Sequence, residues 1–162
     1  MINYEPRIGD FGVVRSNGIF ARLIQLGTLS RWNHAFVYIG DGYIVEATPK
    51  GVIKSKVSKY TNVAWNKHES LNHEERQQIV MFALKAVGQP YNFIVIGNIA
   101  LRILGLKLLA KTKLMYHWAQ ATKGYICSEL VAEAYESIGE NLCNKDPDLV
   151  TPGDLAERLV YL

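Results

Sequence analysis

Three residues of this chain are of the types that make a cysteine nucleophile work, and each stands where the local pattern gives it a use. Cys127 opens the run Cys-Ser-Glu-Leu-Val-Ala-Glu-Ala-Tyr135, preceded by Tyr125 and Ile126. Counting from the cysteine, Leu130, Val131, Ala134 and Ile138 recur at helical spacing, and Glu129, Glu133 and Glu136 take the other side. The run is read as a helix carrying its thiol in the first turn, turned toward the protein body. Gly124 supplies a turn before it and Gly139 a stop after it, so the thiol should lie at the positive end of the helix dipole. Thiolates are the reactive form of cysteine, and helix N-termini near an imidazole are where covalent catalysis uses them. The alternative use of such a residue is as a small buried hydrophobe.

An imidazole is available in His34. The segment Arg31-Trp-Asn-His-Ala-Phe-Val-Tyr-Ile39, the turn Gly40-Asp-Gly42 and the segment Tyr43-Ile-Val-Glu-Ala47 read as a β-hairpin, with His34 opening its first strand and Glu46 near the end of its second. A cysteine hydrolase needs a base for the thiol proton and a third polar group that fixes the ring. Hairpin register decides whether Glu46 can be that group. A two-residue Asp41-Gly42 turn pairs Val37 with Glu46 and sends the carboxylate to the face opposite His34. A three-residue loop pairs Phe36 with Glu46 and brings the two to one face, with Gly42 left-handed.

Further matching pieces extend along most of the chain: Gly9-Asp10 before an apolar strand, Asn33-His34-Ala-Phe-Val-Tyr-Ile-Gly40, Val45-Glu46-Ala47, Gly88-Gln-Pro-Tyr91, Tyr125-Ile-Cys-Ser-Glu-Leu-Val131 and Thr151-Pro-Gly-Asp-Leu155. In these the chain resembles the circularly permuted NlpC-type, papain-like cysteine hydrolases, including the YiiX-like branch, with lecithin retinol acyltransferases as more distant relatives. The resemblance implies an α+β, circularly permuted papain-like fold in which the histidine strand precedes the cysteine helix. It implies Cys127 as nucleophile, His34 as base and Glu46 as orienting residue, and it sets Tyr91 and Tyr125 at the border of the site. Asn92 stands where the family favours aspartate.

The elements that must position these residues form an α+β order. Phe11 to Arg15 is read as a strand, Gly18 to Leu26 as a short helix, and 34 to 39 with 43 to 47 as the hairpin. Val52 to Lys54 and Asn62 to Trp65 are weaker strands. Asn72, with Glu75 three residues on, caps a helix whose apolar face is Ile79, Val80, Phe82, Ala83, Ala86 and Val87. Thr151 or Asp148 caps a last short helix near Asp154 to Leu159. The expectation is an antiparallel sheet flanked by helices. With 162 residues, 49% of them hydrophobic, residues 1–162 make one domain with one core.

Other features carry less. The net charge of +3 does not call for nucleic acid. Cys127 and Cys143 are read as free thiols, Cys143 with a structural or incidental role. His68 and His73 lack the spacing of a helical metal pair and are expected to face solvent, and no metal or organic cofactor is expected. His117, beside Trp118, is a candidate to line the substrate groove, with packing as its other use. Residues 93–110 are the most apolar stretch, but Asn98, Arg102 and Lys107 interrupt them. They are expected to form a helical insertion over part of the groove rather than a membrane span, with peripheral membrane contact as the alternative. The N-terminus has no apolar core of a signal peptide, so a cytoplasmic location is expected, injection or release on lysis aside.

These readings lead to a cysteine-dependent hydrolase acting on an amide, in a peptide or peptidoglycan-type substrate, by a Cys-His-Glu triad without a cofactor. Lipid acyl hydrolysis or transfer on an acyl-lipid substrate is the alternative within enzymes. A catalytically silent binding module of the same fold is the alternative outside them.

Overall fold

The computed structural model describes residues 4–67, 69–94 and 124–159. Five strands form one antiparallel sheet: β1 (Phe11–Val14), β2 (His34–Gly40), β3 (Tyr43–Thr48), β4 (Gly51–Lys56) and β5 (Ala64–Trp65), in the order β4-β3-β2-β1-β5. Helix α1 (Ile19–Thr28) connects β1 to β2, and α2 (His73–Ala86), α3 (Cys127–Glu136) and α4 (Pro152–Glu157) follow the sheet. The α+β class and the antiparallel sheet with helices are as expected. Boundaries moved by one to a few residues, which is the ordinary uncertainty at element ends.

Alternation sorts the strand residues onto two faces. Phe11, Val13, Ala35, Val37, Val45, Ala47 and Val52 form the main core with Ile79 and Ala83 of α2 and Leu130, Val131, Ala134 and Tyr135 of α3. Val14, Phe36 and Ile44 point the other way, into a smaller cluster with Tyr38, Val57, Tyr60, Val63 and Trp65. The main core is what fastens α3 to the sheet, since each large apolar side chain fully buried stabilises by about 1.5–3 kcal/mol. Tyr135 adds a hydrogen bond from its hydroxyl to the Gly9 carbonyl, 2.8 Å, and an edge contact with Phe11, 5.6 Å between centroids.

The hairpin resolves the register question by a route not expected. Asp41 (φ 52°) and Gly42 (φ 74°) are both left-handed and make a two-residue turn between Gly40 and Tyr43. The ladder then shifts between Tyr38 and Gly40, so that Tyr38 opposes Ile44 and Val37 opposes Val45. Ile39 is the extra residue of a bulge. Carried down the strands, this register sets Phe36 across from Glu46, so Glu46 shares a face with His34. A tight turn plus a bulge thus gives the pairing that a three-residue loop was expected to give.

Helix α2 begins with the expected capping box: Asn72 Oδ1 accepts from the Glu75 N–H and the Asn72 N–H donates to Glu75. Its buried stripe contains Arg76 as well as Ile79, Ala83 and Ala86, whereas Val87 of the expected apolar face is exposed. Arg76 is buried because its guanidinium is matched: it donates to Asp10 at 2.7 Å and to the Ile8 and Leu71 carbonyls. Thr151, rather than Asp148, caps α4, with Asp154 returning to the Thr151 N–H. Asp148 lies in the short 3-10 turn Pro147–Leu149. Residues 95–110 of the expected insertion, His68 and His117 lie outside the described residues. Among the described residues no helix is long and apolar enough to cross a membrane.

Candidate functional site

Cys127 is the first residue of α3 and is buried. The chain reaches it through a short parallel bridge, Tyr91 with Tyr125, in which the Asn92 N–H donates to the Tyr125 carbonyl (3.2 Å) and the Tyr125 N–H to the Pro90 carbonyl (3.0 Å). Gly124 permits that approach, since a Cβ there would lie 2.9 Å from the Pro90 oxygen. Ser128 ties the same turn to the segment before α4 by donating to the Val150 carbonyl at 2.6 Å.

Glu129 does not take the solvent side that helical spacing assigned it; it is buried. Its carboxylate folds back to accept the Ile126 N–H at 3.0 Å, satisfying one of the donors that a helix start leaves unpaired. Burial raises its pKa to about 7, against the lowering effect of the Ile126 N–H and with the Glu133 and Asp148 carboxylates adding to the rise.

His34 opens β2 at the end of the sheet where α3 begins, and its imidazole has two partners. Nε2 lies 2.8 Å from Glu46 Oε2, and the Cys127 thiol is close enough to act on the ring's protonation. Burial alone would lower the imidazole pKa, but the bonds to Cys127 and Glu46 outweigh it and hold the group at about 9. Cysteine, histidine and glutamate, read as candidates from three separate stretches, are thus brought together.

Glu46 is completely buried and accepts from four side chains. His34 and the Tyr60 hydroxyl (2.6 Å) share Oε2, and Ser55 Oγ and Lys59 Nζ engage Oε1. Burial pushes its carboxyl up, yet His34, Lys59, Ser55 and Tyr60 together hold it at about 2. It is therefore ionised whenever the fold is intact near neutral pH. Tyr60 is in turn pushed well above the usual phenol range by burial and by Glu46. Its ring stacks on Phe36 (5.3 Å, 9°) and lies 5.6 Å from the His34 ring, so packing and hydrogen bonding fix the same residue.

Ser55, Lys59 and Tyr60 were not among the residues singled out from sequence. The pairing of Glu46 with Ile53 in β4 puts Ser55 on Glu46's face, so an alternation reading extended to residue 55 could have found it. Lys59 and Tyr60 depend on the 3-10 turn Val57–Lys59 folding back over the sheet, for which no local spacing rule exists.

A groove of about 460 Å³ opens beside His34. It is lined by the segment leaving β1, Arg15 to Gly18, by the β3–β4 turn with Lys59, Tyr60 and Thr61, and by Tyr91. Tyr91 lines the groove. Tyr125 does not line it; burial with the Glu133 and Glu129 carboxylates raises its pKa to about 12. Cys143 is unlinked and packed in the main core, where burial and the nearby Asp154 carboxylate push its thiol up. His73 is exposed at the start of α2, 2.8 Å from Gln77.

Among solved structures the chain is similar to the metalloprotein yiiX of Escherichia coli O157:H7, with a TM-score of 0.65 and 18% identity over 87% of this chain and 71% of that one. No protein-family model matches the sequence. No curated protein matches it either. A likeness at this identity speaks to fold. Among the described residues no group of three or more His, Cys, Asp or Glu side chains could hold a metal ion. What stands on structure is an α+β chain that shares its fold with yiiX.

Proposed function

We propose that this chain is a cysteine-dependent hydrolase of the permuted papain-like type that cleaves an amide bond in a peptide or peptidoglycan-type substrate. The observation that carries the reading is the buried His34 ring bonded to the ionised Glu46 and close enough to the Cys127 thiol for that group to raise its pKa. The chain order His34, Glu46, Cys127 is the one that a permuted papain-like hydrolase has.

In the proposed reaction His34 takes the thiol proton and the Cys127 sulfur attacks the carbonyl carbon. The resulting oxyanion is stabilised by the unpaired backbone N–H groups of the first turn of α3, that of Cys127 among them. His34 then gives its proton to the nitrogen as the C–N bond breaks, and the amine leaves a thioester on Cys127. Water, deprotonated by His34, attacks the thioester; the carboxylic acid departs and the thiol is restored. Glu46 fixes the tautomer and stabilises the imidazolium. Its own anchors, Ser55, Lys59 and Tyr60, are positioning residues.

Brief treatment with iodoacetamide followed by peptide mapping tests the nucleophile: Cys127 is expected to be alkylated first and Cys143 to resist. Preferential labelling of Cys143 would remove the assignment. Product analysis on peptide and acyl-lipid substrates then tests the bond; release of fatty acid with no amide cleavage would replace the amidase reading by the lipid one.

A further inference from the structure

The groove beside His34 contains Arg15 and Lys59 but no carboxylate side chain. Lys59 is committed to Glu46, whereas Arg15 is exposed and has no carboxylate partner among the described residues. The charge that the groove offers a ligand is therefore that of Arg15.

Its place is fixed by the fold. Arg15 directly follows Val14, which pairs with His34 across β1 and β2. The next residue, Ser16, is clamped by Asn33, the neighbour of His34. Asn33 Oδ1 accepts from the Ser16 N–H and hydroxyl, both at 2.8 Å, and Asn33 Nδ2 donates to the Ser16 carbonyl at 2.9 Å. Asn33 is 1% exposed, so this three-bond clamp is itself part of the interior. The backbone on both sides of Arg15 is thus tied to the strand that carries the base. A guanidinium offers a planar fork suited to a carboxylate.

Asn17, Thr48 and Thr61 also line the groove, beside Ala21, Ile24 and Pro49, so it offers a ligand hydrogen-bonding groups as well as apolar contact. Its volume is that of a small-molecule site.

Resting on the cysteine-hydrolase reading, we infer that this groove is a subsite for a carboxylate of the substrate, recognised by Arg15, so that the preferred substrates are short peptides carrying a free carboxylate close to the scissile amide.

Matched alkylating probes test this without knowledge of the natural substrate. N-iodoacetylglycine and N-iodoacetyl-β-alanine, each with its neutral carboxamide counterpart, are reacted with the whole chain, and the rate at Cys127 is followed by peptide mapping. At least one carboxylate is expected to react faster than its amide, by about five-fold, the scale of one unit-charge contact in a water-exposed groove. Arg15→Gln should bring that ratio close to one. Arg22→Gln, an exposed charge change on α1 away from the groove lining, should leave the ratio as it is. An undiminished ratio in Arg15→Gln, an equal fall in both variants, or no carboxylate preference in the unaltered chain overturns the subsite while leaving the nucleophile standing. Failure of all four probes to alkylate Cys127 overturns the hydrolase reading beneath it.

Discussion

Asp10 and Glu46 are both fully buried carboxylates with several donors each, set toward opposite ends of the β1–β2 pair, and they do different work. Asp10 accepts from Tyr4 (2.6 Å), the Arg7 N–H (2.7 Å) and Arg76 (2.7 Å), whose guanidinium is itself buried. That pair ties the start of β1 to α2 and has nothing to exchange. Glu46 is held by an exposed lysine, two hydroxyls and an imidazole that can gain or lose a proton while remaining in place. A buried charge becomes chemically useful when one of its partners titrates and opens onto a groove; with a permanent buried partner it is architecture.

The largest separation between the two ends should come from the proposed nucleophile, Cys127. Cys127→Ala is expected to remove turnover by at least about 10⁴-fold on any amide that the native chain cleaves, with His34→Ala close behind, since thiolate generation and leaving-group protonation both fail. Circular dichroism should show both variants folded. Native-level turnover in either folded variant would refute the Cys-His mechanism.

At the other end, Asp10→Ala should act on stability first. It leaves Arg76 as an uncompensated buried charge, for which the expected loss is about 3–5 kcal/mol in denaturant unfolding. A loss below about 1 kcal/mol would show that Asp10 is no more than a solvated charge, and the contrast would collapse.

Glu46→Gln sharpens the comparison through pH. An amide can still hold the ring but no longer stabilises imidazolium, so turnover should fall by roughly 10- to 100-fold, less than for the nucleophile or base. With His34 held at about 9, kcat/KM should persist to that pH and decline above it; the variant should bring this limb down toward the ordinary histidine value of 6.5. An unmoved limb would remove Glu46 from the third position.

Stability should follow the same groups. The contribution of His34 is complete below 6.5 and fades as pH rises through about 9. That of Glu46 is complete above 4.5 and fades as pH falls toward about 2. Unfolding free energy from this network should therefore be greatest between about pH 4.5 and 6.5.

Tyr60→Phe is the smallest test. It deletes one of four donors to Glu46 and keeps the ring on Phe36, so a several-fold loss in kcat with little change in KM is expected. A loss in KM alone would make Tyr60 a groove wall rather than a positioning residue.

How far these sites could be read from sequence follows from the range of the contacts. Cys127, His34 and Glu46 announced themselves because each sits at a definite phase of a local period, a helix start or a strand alternation. The same periods misplaced Glu129 and gave no hint that Arg76 is interior, because a charge in a helical pattern is assigned to solvent by default. Only its partner decides otherwise, and Asp10 lies 66 residues away. The groove was equally illegible: Arg15, Thr48, Lys59 and Tyr91 come from four separate stretches.

The bulge at Ile39 has a consequence for how the hairpin can fail. Val45 and Ala47 fill the core under the helices while Glu46, between them, looks the other way. A one-residue slip would press an ionised carboxylate against Leu130 and Val131 and lift two core side chains out. No slipped hairpin can keep the core intact while losing the Glu46–His34 bond. The carboxylate thus proofreads strand pairing: the residue that bonds the histidine also excludes the pairing in which it could not.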